Sequence, residues 1–186
     1  MKNIHKLVGI ILSFVMISFM SGCGGSSSSS DSSTGTVVLS LTDAPIDYDN
    51  VTGVYITFVA LRYQYAEDED NWEDIDLTVP RTINLLELQD GRTTLLNQVD
   101  LPAGDISHIR FVLDIENSFI TFTDGTDAPL EVSSGEQTGY KAIGGFTIPA
   151  GGTVQITADF DAEKSVTATG NGRYLLNPTI KIFESI

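Results

Sequence analysis

The chain has 186 residues, 10 of them basic and 25 acidic, for a formal charge of −15. That balance excludes a nucleic-acid binder, whose phosphates it would repel, and a protein held flat on anionic lipid by its own charge. With one cysteine and two histidines, neither an internal disulfide nor a zinc cage can be assembled.

Residues 1–22 read as a lipoprotein export signal. Lys2 and Lys6 supply the positive start, and the apolar run from Leu7 to Met20 is too short to cross a bilayer comfortably. Met20-Ser21-Gly22-Cys23 then sets small residues before the cysteine, with Met20 where the usual lipobox has leucine. Cleavage would leave Cys23 as an acylated N-terminus, and several acyl chains anchor stably where one is marginal. Without Lys2 and Lys6 the chain keeps 8 basic side chains against 25 acidic ones, a charge of −17, so the anchor must be lipid and not a basic surface. Residues 23–35 follow as the acylated cysteine and a Gly/Ser tether with nothing to bury, spanning roughly 20 Å as a flexible coil. Gly24 stands where an aspartate would favour inner-membrane retention, so the expected location is the cell envelope, at the outer membrane rather than the inner.

From residue 36 to 186 apolar side chains alternate with polar ones between turn residues. The expected strands are Thr36–Thr42; Val51–Tyr65, with Val54, Ile56, Phe58 and Ala60 on one face; and a short one near Trp72–Leu77. Thr82–Leu88 and Thr93–Val99 flank Asp90-Gly91, a hairpin signal, and the second arm has a short helix as its alternative. Ile106–Ile115 presents Ile109, Phe111, Leu113 and Ile115 to one side. Phe119–Thr123 and Pro129–Ser133 bracket Asp124-Gly125. Tyr140–Ile148, Thr153–Asp161 and Tyr174–Phe183 complete about ten strands. The pattern predicts an all-β domain, a Greek-key β-sandwich of immunoglobulin-like or transthyretin-like type. Leu101-Pro-Ala-Gly104 and Ile148-Pro-Ala-Gly151 repeat one device, a tight turn that launches a strand.

Five landmarks occur in order: Leu41-Thr-Asp-Ala-Pro45, Leu101-Pro-Ala-Gly104, Ser134-Gly-Glu-Gln-Thr138, Asp159-Phe-Asp-Ala-Glu-Lys-Ser165 and Leu175-Leu-Asn-Pro178. Together they resemble the bacterial domain of unknown function numbered 4382, found on secreted or lipid-anchored envelope proteins. The resemblance spans about residues 36–184. It implies location and domain extent, and no mechanism.

The chemistry-bearing residues are few. His5 leaves with the signal, and His108 shares a strand face with Arg110 and Asp114. No nucleophile elbow or free thiol remains, so no catalytic residue is assigned and no enzyme is expected. Two carboxylate groups could hold calcium: Asp43, Asp47 and Asp49 in one loop, and Asp159, Asp161 and Glu163 at the end of a late strand. The competing reading makes Asp43 a turn residue accepting backbone N–H bonds, with no cofactor. Tyr63, Tyr65 and Trp72 could form a glycan-stacking patch near the acidic tip at Glu67–Asp70, or simply pack across strands. The expected function is a lipid-anchored, non-enzymatic binding or scaffolding module. Its partners would be the membrane, through the acyl chains, and an envelope protein or glycan. A glycan module and a carboxylate hydrolase are the alternatives.

Overall fold

The computed structural model describes residues 33–44, 50–132 and 138–184. The export signal, Cys23, nearly all of the tether, Asp47 and Asp49 lie outside the described residues. Within them the chain forms twelve strands in two sheets, not a barrel. The smaller sheet runs in the order β12 (Ile180–Glu184), β9 (Thr153–Phe160), β1 (Thr34–Thr42), β4 (Thr94–Pro102). The larger runs β10 (Val166–Ala168), β11 (Tyr174–Leu176), β6 (Asp127–Glu131), β5 (Gly104–Phe122), β2 (Val51–Tyr65), β3 (Glu73–Asn84). β7 (Tyr140–Lys141) and β8 (Phe146–Ile148) pair with β5 as well. Among the described residues the one α-helix, α1 (Ala162–Ser165), is a single turn.

The core forms where the alternation predicts it. Val37, Leu39 and Leu41 of β1 and Ile156, Ala158 and Phe160 of β9 belong to one buried cluster with Ile56, Phe58, Phe111 and Leu113 of the larger sheet. Phe58 meets Phe111 edge-on at 6.1 Å, and Phe160 of the other sheet at 6.2 Å. These edge-to-face contacts add to the burial of each ring, itself about 1.5–3 kcal/mol.

The repeated Pro-Ala-Gly turns share one structural task. Leu101-Pro-Ala-Gly104 carries the chain from β4 in the smaller sheet to β5 in the larger, and Ile148-Pro-Ala-Gly151 carries it back from β8 to β9. Gly104 pairs with Ile148, so the two corners lie side by side. Both grip the entry of the domain: Ala103 N donates to Ser33 O, and Gly151 N donates to Thr34 O, each at 2.8 Å. A Cβ on Gly35 would stand 2.3 Å from Pro149 O, so only glycine fits between the corners.

Several expectations change. In β2 the pairing slips between Phe58 and Ala60. This bulge shifts the alternation by one residue, so Leu61 and Tyr63, not Ala60, continue the core face. The Thr82–Leu88 strand stops at Asn84. Asn84 Oδ1 accepts from Leu86 N at 3.2 Å and caps a 3₁₀ turn (Leu85–Leu88), with Glu87 facing back to Asn84 Nδ2. The helical turn therefore lies in the first arm, and the second arm is strand β4. Asp90 and Gly91 both have positive φ, 60° and 76°, yet join no hairpin: β3 pairs with β2, and β4 with β1. Asp124-Gly125 does close one, with Phe119 opposite Pro129 and Thr121 opposite Asp127. The expected strands Ile106–Ile115 and Phe119–Thr123 merge into β5, interrupted where Ile115–Ser118 bulge out between Asp114 and Phe119. Ser118 and Asn117 pin that bulge: Thr57 N donates to Ser118 Oγ at 3.0 Å, and Thr57 Oγ1 to Asn117 O at 2.7 Å.

Candidate functional site

The chain enters the sandwich beside Gly104, the first residue of β5. Phe122, the last residue of β5, lies at the opposite end, roughly 45 Å away along the paired strand β2, where Tyr65 stands opposite Ile106 and Val51 opposite Phe122. Two features gather at that far end: a group of acids around α1, and a groove between β2, the β5–β6 hairpin and β10–β11.

Asp43 follows β1 directly, and Thr42 pairs with Asp159 of β9, so the parallel register brings the two acidic segments together. Asp43 is only 4% exposed. Its Oδ1 accepts from Ala162 N at 2.9 Å, while its Oδ2 is buried without a partner. Burial, with a smaller push from Asp159 and Asp161, raises the Asp43 carboxyl to about 7, against the lowering effect of the Ala162 and Ala44 N–H groups. Asp159 is also raised, by burial and by Asp161, with Lys181 and Lys164 opposing. Its Oδ1 is likewise buried and unpartnered. Asp161 caps α1: Oδ1 accepts from Lys164 N at 3.0 Å and Oδ2 pairs with the Lys164 ammonium. Burial pushes the Asp161 carboxyl up, but Lys164 outweighs it and holds the group below its usual range. Glu163 is exposed on α1.

Of the six expected calcium residues, then, Asp43, Asp159 and Asp161 interact with one another, and Asp47 and Asp49 lie outside the described residues. Among the described residues no three His, Cys, Asp or Glu side chains gather as a metal site. Asp43 does accept a backbone N–H, as the turn reading holds, but from a residue far along the chain as well as from Ala44. Together Asp43 and Asp161 occupy two of the N–H groups at the start of α1, which every helix start leaves open.

The aromatic trio does not form one patch. The β2 bulge turns Tyr63 into the core, where it is 4% exposed and donates to Glu73 Oε2 at 2.6 Å. Tyr65 packs edge-on against Tyr63 at 5.6 Å and donates to Pro102 O at 2.7 Å. Trp72 packs elsewhere: the Arg110 guanidinium covers its ring at 4.2 Å, and His108 lies 6.3 Å away. His108 Nδ1 sits 3.1 Å from Gln64 Oε1 and 3.0 Å from Ser107 Oγ. Its imidazole is held below the usual value by burial and by Lys141 and Arg110, against Glu69. It is a partly exposed neighbour of Trp72.

The groove is a site that sequence reasoning missed. It encloses about 690 Å³ and is lined by Asn50, Phe122, Thr123, Asp124, Thr126 and Tyr174, among others. Phe122 and Tyr174 are half-buried, their rings 5.3 Å apart and inclined by 42°. Asp124 Oδ1 accepts from Thr126 N at 2.9 Å and from its hydroxyl at 2.6 Å. Those two bonds hold the Asp124 carboxyl below its usual value, so it is ionised at neutral pH. Thr123 N donates to Asn50 O at 2.9 Å, which ties the hairpin tip to the start of β2. Tyr174 arrives through parallel pairing of β11 with β6, Tyr174 opposite Leu130. The wall opposite the hairpin includes Val166, the residue after α1, so the acids and the groove share one short helix.

A family profile described as Domain of unknown function (DUF4382) matches residues 34–178. No curated protein and no solved structure matches the chain.

Proposed function

The chain belongs to the DUF4382 family, and we propose that it is a lipid-anchored, non-enzymatic binding module of the cell envelope, displaying its far end to a ligand. The observation that carries this reading is the placement of entry and groove. The tether joins the sandwich at Ser33, against the paired Pro-Ala-Gly corners. The 690 Å³ groove opens at the opposite end of β5. An acylated Cys23 would thus hold one end near the bilayer while the groove faces away from it. Among the described residues the groove's lining sets one carboxylate, Asp124, among apolar, aromatic and hydroxyl side chains, a lining that supports binding, where glycoside hydrolysis uses a carboxylate pair. The charge of −17 leaves acylation as the means of attachment, and Gly24 favours the outer membrane.

Membrane fractionation of Cys23→Ser with metabolic palmitate labelling tests the anchor. The parent should label and sediment with membranes, and the variant should do neither. A variant that stays on the membrane would refute the assignment.

A further inference from the structure

We infer that the groove between the β5–β6 hairpin and Tyr174 is a subsite for a neutral carbohydrate. The inference gives a ligand class to the binding face proposed above and rests on that reading.

The groove's chemistry matches a sugar on both of a sugar's faces. A pyranose ring presents C–H groups that stack on an aromatic face, and hydroxyls that need acceptors and donors at its rim. Phe122 and Tyr174 pack against each other, ring centroids 5.3 Å apart and tilted by 42°, and each stays partly exposed. The pair gives the groove an aromatic patch against which the C–H face of a pyranose ring can stack. Around the patch stand the ionised Asp124, the exposed Asn50, and Thr123 and Thr126. Asp124 spends Oδ1 on Thr126 and keeps Oδ2 for a ligand hydroxyl. The hairpin pins these groups before any ligand arrives, which lowers the ordering cost of binding.

Charge narrows the class. Among the described residues no Lys, Arg or His lines the groove, and the chain as a whole is strongly acidic. Uronic acid chains and phosphorylated glycans would be repelled, with no cation to compensate. A basic peptide would want several carboxylates, and among the described residues the lining offers Asp124. A neutral oligosaccharide meets no such conflict. The open shape suits a chain passing through more than a small molecule enclosed on all sides.

Isothermal titration of the full-length mature protein in detergent, with a panel of neutral gluco-, manno- and galacto-hexasaccharides, tests the inference. Polygalacturonate and oligolysine serve as the charged comparisons. At least one neutral hexasaccharide should bind, and both charged polymers should bind more weakly or not at all. Tyr174→Ala should weaken that binding five- to tenfold, the worth of one aromatic contact. Tyr174→Phe should keep it within twofold. Asp124→Asn retains the Oδ1 that holds the turn, and should weaken binding at least threefold without lowering the melting temperature. Failure of every neutral sugar to bind would overturn the inference. So would oligolysine binding better than any sugar, or sugar binding untouched by both Tyr174→Ala and Asp124→Asn. These outcomes are read separately from the anchor, because Cys23→Ser would leave the groove unchanged and its fractionation would decide the anchor alone.

Discussion

Asp43→Asn is the substitution with the most exacting expectation. In the parent, Asp43 Oδ1 accepts from Ala162 N and Oδ2 is buried without a partner. Burial raises the carboxyl from 3.8 to about 7. A carboxyl raised on folding takes up a proton as the chain folds. Its contribution is therefore fully favourable below pH 3.8 and is lost as pH rises towards 7. At 1.36 kcal/mol for each pH unit, the whole interval amounts to at most about 4 kcal/mol. Relaxation and water entry around the far end reduce that to about 2 kcal/mol. Asparagine keeps the oxygen that Ala162 needs and removes the charge. It also brings a donor to a region where Asp159 Oδ1 lacks one. Urea denaturation of parent and variant should give nearly equal stabilities at pH 4. The variant should lead by about 2 kcal/mol at pH 8, a midpoint shift near 1 M for a typical slope of about 2 kcal/mol per molar. A difference that does not change with pH, or a parent more stable at pH 8 than at pH 5 by an amount that Asp43→Asn abolishes, would refute the reasoning.

Three further expectations come from the same geometry. Gly35→Ala puts a methyl 2.3 Å from Pro149 O and 2.8 Å from Ile148 Cγ2, so it should cost about 1–3 kcal/mol by chemical denaturation; a neutral result would mean that the paired corners yield easily. Phe160→Ala removes the ring that Phe58 meets across the sheets and should cost about 3–5 kcal/mol, read as a lower melting temperature; a loss under 1 kcal/mol would place the core elsewhere. Because Asp161 and Asp43 cap α1, calcium should raise the melting temperature no more than magnesium does at equal ionic strength. A calcium-specific gain near 2.7 kcal/mol at a hundredfold excess over Kd, lost in both Asp43→Asn and Asp161→Asn, would instead establish a cation site.

The class of fold was legible because period-two alternation reports burial on one face directly. β1, β9 and most of β5 follow it residue by residue. What stayed hidden were the places where alternation breaks. The β2 slip at Phe58–Ala60 moved Tyr63 into the core, and with it went the expected stacking patch; a bulge leaves no mark in a run already apolar on both faces. Asn84 and Glu87 have the spacing of a helix cap, which the strand reading of Thr82–Leu88 did not take into account. Asp90-Gly91 has the conformation its sequence promises, but a local turn cannot say which sheet its flanks join. The groove was illegible for a related reason. Phe122 and Tyr174 meet only because β11 pairs in parallel with β6, a long-range register with no local signature. The nearness of Asp43 to Asp159 depends in the same way on the parallel register of β1 and β9.

The most direct test of the account is the mass of the N-terminal peptide of the protein isolated from envelope membranes. The anchored-module reading predicts a peptide that begins at Cys23 and carries the added mass of a diacylglyceryl group and an amide-linked acyl chain, with no trace of residues 1–22. A peptide that retains residues 1–22, or one that begins at an unmodified Cys23 or beyond it, would contradict the account.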